Sequence, residues 1–194
     1  MWYTGYCKGG VFMKWFETWK DSLKEFSVLK NLALCGVLCA LAIVLGFMTS
    51  ISIGQYIRIG FSGIPNQMVD YLFGPAVGCI FSAVLDILKY LVKPTGPFFP
   101  GFTVSAAAGG LIYGYSFYRH EVSLLRVFIT ELLVKTVVNV GLNTIWLNLL
   151  YSKAILAILP GRILSNVIML PIDTAIVYFV LKLTKRVLLA QLRE

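Results

Sequence analysis

NLALCGVLCALAIVLGFMTS, residues 31–50, runs for twenty residues without a charge. A bilayer core takes about 20 apolar residues per helical crossing, so this stretch predicts a membrane span. Five further apolar stretches follow it, at 61–73, 76–92, 103–117, 124–151 and 162–183. With 58% hydrophobic residues and a mean hydropathy of +0.81, a soluble domain of this size would leave more apolar surface than it can hide. The predicted fold class is therefore all-α: an integral membrane bundle of six transmembrane helices occupying 31–194.

Ahead of the bundle, 12–26 (FMKWFETWKDSLKEF) spaces Phe12, Trp15, Phe16, Trp19, Leu23 and Phe26 three and four residues apart with Lys and Glu between them. That periodicity predicts an amphipathic helix lying in the membrane interface. The 1–30 segment thus forms an N-terminal cytoplasmic, interfacial unit. Its scattered lysines, with no compact apolar run before a small-residue cleavage site, argue against a removable signal peptide.

Between spans, ISIGQYIRIG (51–60) alternates apolar and polar residues and predicts a short extended segment. The second span is short and carries Pro65, Asn66, Gln67 and Asp70, polarity that calls for shielding from lipid. Gly74-Pro75 and Pro160-Gly161 are expected to break the chain. The fifth stretch exceeds a perpendicular crossing, so it tilts or projects its Trp146 end above the apolar zone.

Six spans put both termini on one side, and the distribution of cations chooses it. Eleven Lys and Arg fall on the terminus side, five fall opposite (Arg58, Lys89, Lys93, Lys153 and Arg162), and Lys135 lies inside the fifth span. Both termini are predicted cytoplasmic. The net charge of +8 follows from this topology and from contact with anionic membrane lipid, so no nucleic-acid partner is needed. Four cysteines, three of them within apolar runs and none in Cys-x-x-Cys spacing, predict neither disulfides nor a metal site. The single histidine, His120, sits in a basic connector, and no nucleophile or acid-base pair supports an enzyme.

Chemistry concentrates on the outer face. Arg58, Lys89, Lys93 and Arg162 stand near predicted outer helix ends beside Phe61, Phe98, Phe99, Phe102, Asn143 and Trp146, and the loop KPTGPFFPGFT (93–103) is packed with rigid and aromatic residues. Snorkelling cations and interfacial aromatics explain each residue singly. Together they favour a site for a flat, anionic, hydrogen-bonding solute, since guanidinium suits carboxylates and also stacks on rings.

Four acids lie within spans: Asp70, Asp86, Glu131 and Asp173. Glu131 and Lys135, four apart, are expected to neutralise each other, and Asp86 and Lys89, three apart, to do the same more weakly. No helix break at mid-membrane marks a secondary-transporter site. On the first span, Gly36 to Ala40 and Ala42 to Gly46 both have small-xxx-small spacing, which lets another helix approach closely. Internal packing explains such spacing as well as a partner does.

The runs GQYIRIGF (54–61), FGPAVG (73–78), GPFFPGFTVS (96–105), LNTIWL (142–147) and LPI (170–172) together resemble the folate-specific substrate-binding subunits, or S-components, of energy-coupling factor vitamin transporters. The likeness spans nearly the whole chain after about residue 31 and leaves the N-terminal segment outside. It implies a protein of the bacterial plasma membrane that binds folate from outside, needs no cofactor, and delivers its ligand by toppling onto a transmembrane coupling subunit with two ATP-binding cassette ATPases.

Absence of a Gly-x-x-x-x-Gly-Lys-Ser/Thr run here agrees with an ATPase on another chain. The family's A-x-x-x-A docking motif maps onto Gly36 and Ala40, with Gly in place of the first Ala. For folate the resemblance and the residues nominate Phe61, Phe98, Phe102 and Trp146 for stacking, Asp86, Asn143 and Asn166 for pterin hydrogen bonds, and Arg58, Lys89 and Arg162 as cations. The alternative is a stand-alone proton-coupled carrier of a small aromatic anion.

Overall fold

Apolar residues at helical spacing, punctuated by Gly-Pro and Pro-Gly pairs, give an almost wholly helical chain. The computed structural model describes residues 11–48, 51–53, 57–59, 61–94, 97–151 and 155–191, with side chains for 17–46, 62–94, 97–150 and 159–186. Helix α1 (Val11–Phe26) leads into α2 (Leu29–Met48) through a tight turn. Asn31 fixes that turn by donating its side-chain amide to the Glu25 carbonyl at 3.0 Å and to the Glu25 carboxylate at 2.9 Å.

The predicted extended segment is a small antiparallel hairpin, β1 (Ile51–Ile53) and β2 (Ile57–Ile59), with Ser52 opposite Arg58. A 3-10 turn at Phe61–Gly63 then opens α3 (Ile64–Phe73). At ten residues and 1.5 Å of rise each, α3 is about 15 Å long, half the depth of a bilayer core. Such a piece holds its polar side chains away from lipid only if longer helices enclose it. Helices α2, α4 (Pro75–Val92) and α5 (Pro100–Phe117) do so.

The α3–α4 junction is built by Gly74, whose φ of +87° an L side chain rarely adopts. Pro75 supplies the first helical residue, where its missing N–H costs nothing. The buried first-turn N–H groups of Ala76 and Val77, which have no partner within α4, both donate to the Ser22 hydroxyl of α1 at 3.1 Å, and that hydroxyl donates to the Phe73 carbonyl at 2.6 Å. An N-terminal cap that normally comes from the helix itself is thus supplied by a different helix. Arg119, in the turn after α5, reaches Asp21 at 3.0 Å and adds a second tie to α1.

Lipid offers helices no hydrophobic reward for meeting, so their contact rests on close packing through small residues. Among the described residues, the α4–α5 crossing is the most extensive. At Gly110 an added Cβ would lie 2.5 Å from the Gly78 carbonyl oxygen, so glycine there sets the closeness of the two backbones.

After α5 the fifth apolar stretch forms α6 (Leu124–Val134), a π-helical segment (Lys135–Leu142) and α7 (Asn143–Tyr151). Within the expected fifth span the π turns widen the coil beside the polar interior, a feature common at functional sites. The last helix, α8 (Ile155–Gln191), corrects an expectation, since it runs through Pro160 and Pro171 without breaking. Proline removes one N–H from the ladder, and membrane helices tolerate that loss where neighbours make it good.

Two apolar clusters flank the interior, one of Leu38, Ala42, Val69, Phe73, Val77 and Phe81, the other of Tyr113, Phe117, Val127, Val138, Val177 and Leu181. Large apolar side chains such as Val37, Val84, Ile129 and Phe179 point outward, as a lipid-facing surface requires. Among the described residues, three helical stretches are long and apolar enough to cross a membrane, Leu29–Gly46, Pro75–Val92 and Leu159–Arg186.

Candidate functional site

Between the two apolar clusters lies a polar cavity of about 340 Å³, walled by the 3-10 turn, α3, α4, α5, the π segment and the start of α7. Its volume falls in the range of small-molecule sites. At the end where α4 finishes and α5 begins, Asp86, Lys89, Phe102 and Asn143 line it. Deeper residues are Asn66, Gln67, Ser82, Gly109, Gly110 and Tyr113.

The wall is held by hydrogen bonds among the lining residues. Ser82 donates to the Gly78 carbonyl at 2.7 Å and lies 3.0 Å from Asn66 Oδ1, which ties α3 to α4. Thr103 donates to Asp86 at 2.9 Å across the α4–α5 mouth, and Lys89 Nζ reaches the Ser62 carbonyl at 3.4 Å. Asp86 and Lys89 therefore engage other partners, which corrects their expected mutual pairing. Phe102 N–H bonds back to the Phe99 carbonyl at 3.1 Å, so the aromatic loop enters α5 in an ordered turn.

Beneath the cavity floor the expected Glu131–Lys135 pair is also replaced. Glu131, 2% exposed, accepts from Gln67 Nε2 at 2.9 Å and from the Tyr113 hydroxyl at 3.0 Å. Lys135 instead meets Asp173 of α8 at 2.5 Å. Lys135 still keeps the α-helical bond from its N–H to the Glu131 carbonyl, so its side chain leaves Glu131 because Asp173 of α8 claims it.

The remaining nominated residues occupy distinct places. Phe98 is exposed and packs its ring on Tyr90 at 5.1 Å between centroids. Trp146 donates its indole N–H to Ser105 at 2.9 Å and stacks against Phe99 at 5.7 Å, so it buttresses the wall from behind. Arg162 donates to the Asn139 carbonyl at 2.7 Å, and Asn139 donates to Asn166 Oδ1 at 3.3 Å. These two α8 residues thus hold Asn139, a lining residue, in place. The backbones of Arg58 and Phe61 sit in β2 and the 3-10 turn, but their side chains lie outside the described residues.

Sequence reasoning missed Gln67, Ser82, Ser105, Tyr113 and Asn139 as wall residues. The signal for one was present: Asn66 and Gln67 interrupt an apolar run, and polarity enclosed by longer helices has to face an interior. Gly36 and Ala40 are exposed on α2, and a Cβ at Gly36 would meet nothing within 4 Å. By contrast Ala42 is fully buried, and a Cβ at Gly46 would meet Ser62 at 3.5 Å. The second small-residue pair is spent on internal packing and the first is left open.

Residues 30–181 match the family described as ECF transporter, substrate-specific component. The chain belongs to this family. Its members are substrate-binding parts of membrane transporters and not enzymes. This S-component is 40% identical over 130 residues to the folate transporter FolT of Clostridium novyi, covering 67% of the chain and 76% of the relative. It is 32% identical over 159 residues to FolT of Leuconostoc mesenteroides, covering 78% and 84%. The riboflavin transporter RibU of Staphylococcus aureus is 31% identical over 111 residues, covering 56% and 58%. Among solved structures, one described as FolT bound with folic acid superposes with a TM-score of 0.71 at 34% identity, covering 78% of this chain and 92% of that one.

Proposed function

We propose that this S-component captures folate outside the bacterial plasma membrane and hands it to an energy-coupling factor importer. The observation that carries this reading is the polar cavity of about 340 Å³ enclosed by apolar helices, in a chain 34% identical to a FolT solved with folic acid. Asp86, Lys89, Phe102 and Asn143, four of the ten residues nominated for folate, line it. Among them they supply what folate asks for: a ring face, amide and carboxylate partners for the pterin edge, and a cation for the glutamate tail. Trp146, Arg162 and Asn166 act one layer back by fixing Ser105 and Asn139, while Arg58 of the hairpin, Phe61 of the 3-10 turn and Phe98 of the aromatic loop close over the ligand.

In this reading residues 31–194 form six spans with both termini cytoplasmic, and residues 1–30 form the interfacial unit beside them. The open face around Gly36 and Ala40 docks on the transmembrane coupling subunit, whose two ATPases supply the energy as the bundle topples. Binding itself uses no cofactor and no ATP. Purified protein in detergent should therefore bind folate saturably and at one-to-one stoichiometry with no nucleotide present. Failure to bind under those conditions removes the proposal. A stand-alone proton-coupled carrier would instead move solute in partner-free vesicles under a pH gradient, which this reading says it does not do.

A further inference from the structure

We propose that Gln67 sets the ligand specificity of the cavity by presenting its side-chain carbonyl oxygen to an N–H donor edge of the bound heterocycle. Gln67 lies on α3, is 9% exposed and lines the cavity. A primary amide has a donor end and an acceptor end that differ only in chemistry, so its neighbours decide which end faces where. Here Gln67 Nε2 sits 2.9 Å from Glu131 Oε1, and the other Glu131 oxygen accepts from Tyr113 at 3.0 Å. In the structure the amide nitrogen points at Glu131 Oε1, so the carbonyl oxygen points away from it.

That oxygen bonds to no described residue and is not sealed in the protein interior. It is an acceptor of fixed direction in the cavity wall, with Glu131 and Tyr113 serving to hold it. On the facing helix, Gly109 and Gly110 line the same cavity, and a Cβ at Gly109 would meet nothing within 4 Å. The missing side chain at Gly109 leaves room for a flat ring edge-on to the amide, while at Gly110 the space is taken up by α4. The matching ligand class is a planar heterocycle carrying N–H donors on one edge, and a ring lacking them would leave the Gln67 oxygen buried without a partner. Resting on the folate reading, the donor edge is the 2-amino and ring N–H side of the pterin.

The test compares folate with its 2-desamino analogue by equilibrium binding to the purified full chain. Wild type is expected to prefer folate by about 10- to 100-fold, the usual penalty for stranding a buried polar group. Gln67→Met, which keeps the length and removes both polar ends, is expected to erase that preference by weakening folate alone. If Gln67→Met does not fold because Glu131 loses a donor, Gln67→Met with Glu131→Leu removes both partners together and reads the same preference. Equal binding of the two ligands by wild type, or an undiminished preference in the variants, overturns the assignment while leaving folate binding intact. Wild type that binds neither ligand overturns the folate reading and this inference with it.

Discussion

Lys135 Nζ meets Asp173 of α8 at 2.5 Å and leaves Glu131, one turn earlier on its own stretch, to Gln67 and Tyr113. Three ionisable side chains are thereby divided into an ion pair that joins two helices and a carboxylate that braces a cavity wall. Removing one member of a largely buried pair strands the other, at a cost of about 3 kcal/mol. Lys135→Met should therefore lower the thermal unfolding midpoint in detergent clearly, and Lys135→Met with Asp173→Leu should recover most of the loss. A double variant no better than the single one would show that the pair does not carry the effect.

Adjacent glycines on α5 should behave oppositely. A Cβ at Gly110 would lie 2.3 Å from the Ser82 hydroxyl and 2.5 Å from the Gly78 carbonyl oxygen, whereas one at Gly109 would touch nothing. Gly110→Ala is expected to push α4 and α5 apart and destabilise by about 2 kcal/mol or more. Gly109→Ala should keep the unfolding midpoint and instead weaken folate binding by filling the cavity. Equal stability of the two variants would contradict the packing described for this crossing.

Trp146 contributes through both its ring and its N–H. Trp146→Phe keeps an aromatic partner for Phe99 but abandons the 2.9 Å bond to Ser105, and a lost neutral hydrogen bond is worth about 1 kcal/mol, or roughly fivefold in affinity. Folate titration should show that modest loss, with a larger one for Trp146→Ala. An unchanged affinity in Trp146→Ala would remove this residue from the wall's support.

A bulky residue on the open face of α2 should separate binding from transport. Gly36→Trp and Ala40→Trp meet no internal neighbour, so folate affinity of the isolated protein should stay within about twofold of wild type while uptake by cells carrying the whole transporter falls sharply. Parallel loss of both activities would refute a partner-facing role for this surface.

Ser22 is 0% exposed and serves three backbone groups around the α3–α4 turn. Ser22→Ala leaves the Ala76 and Val77 donors and the Phe73 acceptor without it, so stability should drop by about 2 kcal/mol. A thermal midpoint equal to wild type would mean that other groups take over the cap.

Much of this architecture is legible in the sequence because lipid imposes strict rules. Uncharged runs had to be helices, the alternation around 51–59 shows as the strands Ile51–Ile53 and Ile57–Ile59, and the three-and-four spacing at 12–26 is a helix. Local spacing misled where a third element intervened. Glu131 and Lys135 are neighbours on this helix, but Asp173, 38 residues away, draws off the lysine, while Gln67 and Tyr113 take up the carboxylate. Likewise Pro160-Gly161 is a breaker in isolation, and only packing within the bundle keeps α8 continuous. For the site, types of residue were foreseeable and layers were not. Trp146, Arg162 and Asn166 look like ligand contacts in a one-dimensional list, and only their partners Ser105 and Asn139 show that they stand behind the wall.

The borrowed cap on α4 makes the amphipathic N-terminal helix a passenger of the bundle. With the helix lying in the interface as proposed, any reorientation of the spans within the bilayer would have to drag it, with its exposed Lys20 and Lys24, out of the headgroup plane. Each such cation is held at an anionic surface by about 1 kcal/mol. In the proposed toppling mechanism, the helix would work as an outrigger, steadying the upright posture and making the speed of tipping depend on the acidity of the surrounding leaflet.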